Sequence, residues 1–489
     1  MKSTPPSLAV DVREVGYVKS IHEFIVNVNG LPSCFNGQIV EFENGGRGLV
    51  MGFKEDTVQV LLFGSSSGIS LNDEVYNKGQ PLYLPVGEEI MGRVVNSFCE
   101  PVDNLGPIET QEVQPVFREA PAILDRLPVQ DTLETGTIVL DTLFPIAKGQ
   151  RQLFLGDRLT GKTTVTVDTI LNQAGKDVIC IYACIGKPYT SFLKTLDLLC
   201  EKEALSYTVV VSGIASASVG EQYLAPYTAA MLGEYFMYQG KNVLVVFDDL
   251  TRHAWIYRQI SLLLGRAPGR EAYPGDIFYI HSQLVERAGR LKPELKGGSM
   301  TFLPIIEILQ GDLTGYIPTN LISMTDGQTY FDSDLFRKGI KPAIDVKLSV
   351  SRIGSKAQWP AMREVSKRLR LDYLRYQELL RMSRISSSSI SKEAEKVLKH
   401  GEVITHLITQ NRHQPVPVEV QICYLYALNL GILDQFSLPE IKKFESEFIN
   451  LIQQGYPEIL GDLRTTKELS AEAKNKLNEV LKHYLQEHM

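Results

Sequence analysis

The sequence predicts a multidomain chain with an N-terminal β-barrel, a central α/β domain carrying a phosphate-binding loop, and an α-helical C-terminal domain. Three observations carry this reading. Short apolar runs separated by turn residues fill the first stretch, longer apolar strands spaced by helical or loop segments follow, and amphipathic helices then replace strands altogether. The boundaries drawn from these changes of rhythm are 1–88, 89–365 and 366–489. A length of 489 residues is too great for one ordinary core and agrees with several domains.

In the first segment the runs FIVNV, QIVEF, GLVMGF and DTVQVLLFG are broken by Gly, Asn, Ser and Asp, the alternation of a small barrel. Such barrels can bind oligonucleotides. The acidic balance, a formal charge of −7, and the lack of basic or aromatic clusters favour a structural role and exclude nucleic acid as a partner. In the central segment RQLFLG, DVICIYACIG, YTVVVSGIAS, NVLVVFDDL, SMTFLPIIEIL and NLISMTDG read as buried strands of a mostly parallel sheet, whose ligands gather at the strands' C-terminal ends. Beyond it, Ser437 and Glu440 form a capping box ahead of a stripe of Ile441, Phe444 and Phe448, and Leu477, Val480, Leu481 and Tyr484 form a second stripe. Both stripes read as packing faces. The run ISSSSISKEAEK, 385–396, reads as a loop between helices.

With 44% hydrophobic and 22% charged residues the chain is an ordinary globular protein. No apolar run reaches the ~18 residues of a membrane span, and MKSTPPSLAV lacks the blocks of a signal peptide, so a cytosolic chain able to sit on a membrane complex is expected. Cysteines at 34, 99, 180, 184, 200 and 423 form no CxxC pair, and the histidines form no HExxH, which argues against disulfides and a transition-metal site.

The chemistry concentrates in GDRLTGKTT. Gly156 and Gly161 to Thr163 fit GxxxxGK[ST] between an apolar strand and a helix, the setting in which backbone N–H groups and the helix N-terminus cradle phosphates. Lys162 would reach the outer phosphates and Thr163 would ligate Mg²⁺. The strand NVLVVFDD ends in Asp248 and Asp249, placing Asp248 on the metal side, although paired acids there also serve as helix caps. Hydrolysis needs a group that can position water, and Lys187, just past DVICIYACIG and expected beside the phosphate-loop strand, is a cation at neutral pH. It steadies phosphate charge or faces solvent with no ligand role.

The blocks GDRLTGKT, FDDLTRHAWIYRQISLLLGRAPGREAYPGDIFYIHSQLVERAGR and PAIDVKLSVSRIGSKAQ together resemble the alpha subunit of F-type ATP synthases, from about Asp11 to the C-terminus. The resemblance implies a RecA-like central domain and a regulatory subunit that binds Mg·ATP without being the main seat of catalysis. It implies alternation with beta subunits in a hexamer around a gamma central stalk, held by a peripheral stalk, on the cytoplasmic face of a membrane as part of a proton- or sodium-translocating ATPase. The family's nucleotide site maps onto Gly156, Asp157, Arg158, Leu159, Thr160, Gly161, Lys162 and Thr163, with Asp248 toward the metal and Phe336 and Gln410 toward the base. Arg352 matches the arginine offered to the neighbouring beta subunit's catalytic site, with Ser323 and Val350 lining the same interface.

The chain departs from the family's pattern where Leu159 and Lys187 replace glutamines, Lys341 replaces arginine and Arg412 replaces a second base-side glutamine. Pro5 and Pro6 leave too little chain for the helix that docks the delta subunit, and MSRISSSSIS stands where acidic FGSDLD is common. These differences imply a divergent or alternate form. A catalytic or export ATPase is disfavoured by the GDRLTGKT form of the loop and by Lys187, and a transcription-terminator-like RNA hexamer by the charge of −7 and the GREAYPGD block.

Overall fold

The computed structural model describes residues 14–385 and 391–488. Alternating buried and exposed positions close the first segment into a barrel. Its strands β1 (Glu14–His22), β2 (Ile25–Asn29), β3 (Gln38–Phe42), β4 (Arg47–Lys54), β5 (Thr57–Phe63) and β6 (Glu74–Pro81) run in the order β1-β2-β5-β4-β3-β6. Val26, Val28, Val40, Val60 and Val75 are fully enclosed inside it. β-branched side chains suit such positions because they pack well on a pleated surface. Arg266 Nη2 donates to Met51 O at 2.8 Å and Gln59 Nε2 to Leu264 O at 3.3 Å, tying the barrel to the next segment.

The central sheet contains β7 (Val94–Asn96), β8 (Gln152–Gly156), β9 (Val178–Ile185), β10 (Thr208–Gly213), β11 (Asn242–Asp248), β12 (Ser299–Glu307), β13 (Gly327–Phe331) and β14 (Val350–Ser351), in the order β14-β13-β8-β12-β11-β9-β10-β7. All pairs along it are parallel except the edge pair β13–β14. Nearly every residue of β8, β9, β10, β11 and β12 is buried, as the continuous apolar runs require of a sheet covered on both faces.

Helices dominate after Pro360, and their core is continuous with one face of the sheet. The Ser437–Glu440 capping box forms, with the Ser437 N–H donating to Glu440 Oε2 at 2.6 Å. The two apolar stripes meet. Phe444 stacks on Phe448 at 4.6 Å between ring centroids and takes the edge of Tyr484 at 5.1 Å. All six cysteines are free thiols, four of them buried.

Three expectations are corrected. NLISMTDG is not a strand: helix Tyr316–Met324 occupies most of it and the strand begins at Gly327. Ile317, Asn320 and Leu321 are the residues this helix buries, a spacing of three and four rather than two. The stretch 392–396 is not loop, because helix Lys392–Leu407 starts there, with the Ser391 hydroxyl accepting from the Ala394 N–H at 3.2 Å. The strand leading to Lys187 is not next to the phosphate-loop strand, since β12 and β11 lie between β8 and β9. Readings that fell on Pro5, Pro6 and 386–390 lie outside the described residues.

Candidate functional site

A cleft of about 420 Å³ opens at the C-terminal ends of the parallel strands. Residues 158–165 form its floor, Asp248, Asp249 and Glu307 one wall, and Phe336, Lys341 and part of 410–415 the other. The loop begins at Gly156, where a Cβ would lie 2.4 Å from the Phe331 carbonyl oxygen, so only glycine fits against β13. Asp157 does not face the cleft. Its carboxylate accepts from the Gly311 N–H at 2.9 Å and the Ser333 hydroxyl at 2.8 Å and so fixes the loop to its neighbours. Thr160 Oγ1 donates to Asp157 O at 2.8 Å. Leu159 sits at φ 64° with its side chain in solvent, a conformation that costs an L-residue roughly 1–2 kcal/mol.

Gly161, at φ 98°, caps helix Lys162–Leu171 with no side-chain partner, leaving the first N–H groups of the helix directed at the cleft. Lys162 Nζ folds back to donate to Gly156 O at 2.7 Å and Asp157 O at 2.6 Å. Burial pushes its ammonium down to about 8, against the pull of Glu307, Asp249 and Asp248. It is a buried cation whose hydrogen-bond partners are two backbone carbonyls.

Asp248 ends β11, fully buried. Its Oδ2 accepts from Thr163 Oγ1 at 2.9 Å and from the Tyr182 hydroxyl at 2.7 Å. The parallel register sets Cys184 opposite Asp248, which brings the residues after β9 to the same spot from a different strand. Lys187 forms an ion pair with Asp248 Oδ1 and donates to Thr163 Oγ1 at 3.0 Å, its side chain 12% exposed. Burial opposes its charge, but Asp248 and Asp249 reverse that and hold the ammonium above the ordinary lysine value. Of the alternatives that the sequence left open, facing solvent is excluded: Lys187 lines the cleft beside the phosphate loop, and its partners are the two side chains expected to hold a metal. Asp249 is a helix cap: its Oδ1 accepts from the Arg252 N–H at 2.9 Å, and burial beside Asp248 pushes its carboxyl up to about 7.

Thr163 and Asp248 supply a hydroxyl and a carboxylate, donors suited to Mg²⁺ alongside phosphate oxygens. Asp248 Oδ1, the oxygen left over from the Thr163 and Tyr182 hydrogen bonds, is taken by the Lys187 ammonium. The donor set fits the metal in kind, and Lys187 faces it.

On the opposite wall the Lys341 ammonium lies 4.7 Å from the Phe336 ring centroid. Gln410 reaches the cleft, but its Oε1 accepts from the Ile138 N–H at 2.7 Å and its Nε2 donates to Gly136 O at 2.9 Å. His413 completes this wall's attachment: its N–H and ring Nδ1 lie 3.1 and 3.0 Å from Asp168 Oδ1 on the phosphate-loop helix. Arg412 is exposed at the rim.

Arg352 is not in the cleft. It follows edge strand β14, exposed, with its N–H donating to Asp326 O at 3.0 Å and its guanidinium without a partner among the described residues. Asp326 is itself clamped by Arg151 through two hydrogen bonds of 2.7 and 3.0 Å, and Ser351 Oγ donates to Pro145 O at 2.7 Å. Val350 on β14 and Ser323 in helix Tyr316–Met324 are both exposed.

Sequence reasoning missed Asp168, Gly136, Glu307 and the anchoring role of Asp157. Glu307 carried a legible signal as an acid ending an apolar strand; the others depend on segments more than 150 residues apart and carried none.

Comparison with known proteins agrees with this architecture. The ATP synthase alpha/beta family matches over three stretches: the beta-barrel domain at residues 11–79, the nucleotide-binding domain at 136–351 and the C-terminal domain at 358–484. The chain is 44% identical over 476 residues to an ATP synthase subunit alpha of Caldanaerobacter subterraneus subsp. tengcongensis, covering 97% of this chain and 94% of that one. It is similarly 44% identical over 475 residues to an ATP synthase subunit alpha of Clostridium botulinum, with the same coverage.

Proposed function

The chain belongs to the ATP synthase subunit alpha family, and from that premise we propose that it holds ATP in its own cleft without splitting it and lends Arg352 to a catalytic site on a neighbouring beta subunit. One observation carries the reading. At the place where a hydrolytic cleft needs a base for water, this cleft has Lys187, paired with Asp248 and held protonated. The other nearby acid, Asp249, is occupied as a helix cap.

In this reading Lys162 and the N–H groups behind Gly161 bind the β- and γ-phosphates, Arg158, Leu159 and Thr160 line their approach, and Phe336 and Gln410 bound the base pocket. Thr163 and Asp248 would hold Mg²⁺, which when bound neutralises phosphate charge. Arg352 has a planar fork, unpartnered among the described residues, on an edge fixed by Arg151, Asp326 and Ser351, suited to bridge γ-phosphate oxygens in trans. Its partners are beta subunits in an alternating hexamer, a gamma stalk and a peripheral stalk, with the complex coupled to proton or sodium flow at the cytoplasmic face of a membrane. Among the described residues no helix is long and apolar enough to cross one. The domain division proposed is 1–88, 89–365 and 366–489.

The test is Arg352→Ala in the complex reconstituted with its beta partner. Steady-state ATPase falls by about 10³ with assembly intact; near-normal turnover sinks the role in trans. Brisk hydrolysis by the isolated chain would overturn the non-catalytic reading.

A further inference from the structure

The position between Thr163 Oγ1 and Asp248 already contains a cation that belongs to the chain. The ammonium of Lys187 touches both groups, 3.0 Å from the hydroxyl and in an ion pair with the otherwise unbonded Oδ1 of the carboxylate. Its backbone is fixed on both sides. Gly186 stands at φ 62° with its N–H on Gly213 O at 2.7 Å, the Lys187 carbonyl accepts from the Ala215 N–H at 2.9 Å, and Pro188 opens the next helix. Gly186 cannot accept a side chain without strain, and Arg252 lies 3.1 Å from where its Cβ would be. The lysine is thus aimed by the fold rather than drawn from solvent.

We propose that Lys187 is a built-in cation of this nucleotide site, taking the place beside Thr163 and Asp248 that a divalent metal would otherwise hold, so that the chain binds a nucleoside di- or triphosphate with little dependence on Mg²⁺. The inference rests on the reading of the cleft as a nucleotide site and replaces one part of it, the Mg²⁺ held by Thr163 and Asp248. A divalent ion entering this position has to displace a buried ammonium from a carboxylate, and so loses the interaction that usually draws it in. The ammonium meanwhile presents a positive charge to the phosphates beside that of Lys162.

Calorimetric titration of the full chain with ATP, in excess Mg²⁺ and in EDTA, reads the effect directly. The dissociation constants should differ by less than about threefold for the natural chain, and by roughly tenfold or more for Lys187→Gln, which opens the position to metal. Mn²⁺ serves as a spectroscopic probe: the ATP complex of Lys187→Gln should retain one tightly bound ion that the natural complex binds at least tenfold more weakly. A natural chain that needs Mg²⁺ as strongly as the variant, or that retains Mn²⁺ as tightly, overturns the proposal. The Mg²⁺-against-EDTA comparison on the natural chain decides this even if the variant does not fold. Failure to bind ATP under either condition would instead overturn the nucleotide-site reading itself.

Discussion

Lys187 and Arg352 are both basic residues just beyond the end of a strand in the same sheet, and their surroundings are opposite. Lys187 is enclosed, paired with Asp248 and bonded to Thr163, and its charge is used up within its own cleft. Arg352 is exposed at the edge strand, its backbone held firmly and its guanidinium unpartnered among the described residues. A charge satisfied inside the chain can tune a site but cannot be lent, whereas a charge placed on a rigid edge without a partner is available to a second molecule. The difference between holding a ligand and completing a neighbour's site is visible in where each charge ends.

The strongest way to break this comparison is at Arg352. Arg352→Ala should lose about 10³ in turnover of the complex, and Arg352→Lys, which keeps the charge but not the fork, should recover only part of it. Neither should alter ATP binding or thermal unfolding of the isolated chain, because the guanidinium has no hydrogen-bond or ion-pair partner among the described residues.

Asp248→Ala tests the other side. It strands a buried ammonium and a buried tyrosine hydroxyl, and should lower stability by about 3–5 kcal/mol in thermal or urea unfolding. Combining it with Lys187→Met should restore much of that; equal losses in the single and double variants would show that the pair is not coupled. Asp157→Ala removes two hydrogen bonds from a loop anchor rather than from the charge itself. Nucleotide affinity should fall by about 1–2 kcal/mol, roughly 5- to 30-fold, while unfolding changes less than for Asp248→Ala.

The smallest effect concerns buried ionisable groups that have no counter-charge. His281 is buried with both ring nitrogens unbonded, and burial holds it down to about 3, while burial holds its neighbour His253 down to about 4. Both stay neutral in the fold while the unfolded chain gains protons near pH 6.5, so stability is full above that pH and declines as pH falls toward 4. His281→Phe should flatten the decline in urea unfolding followed against pH, and an unchanged slope would assign it elsewhere.

The phosphate loop, Asp248 and the two helical stripes were legible because each is written in contiguous residues at the period of its own element. Lys187 was legible as an anomaly but not as an ion pair, since its partner follows from β9 lying beside β11, an order that local patterns do not encode. NLISMTDG misled because a short apolar run has no decisive period; Ile317 and Pro318 just before it carry the helical spacing and the start. The helix at Lys392 could have been found from Ser391 followed by Glu393 and Glu395, an N-cap with acids in the first turn. Asp157 read as a ligand contact because the residues that occupy it, Gly311 and Ser333, are distant in the chain, and the bonds of Gln410 to Gly136 and Ile138 were hidden for the same reason.

Gln410 and His413 give the cleft a mechanical property. They carry one wall of it on the segment that continues helix Lys392–Leu407, and fasten that segment to Gly136, Ile138 and Asp168. A load that rocks the helical domain must strain these few bonds, and so changes the shape offered to the base. By reciprocity, a ligand that prefers one shape of the cleft would favour the matching position of the helical domain.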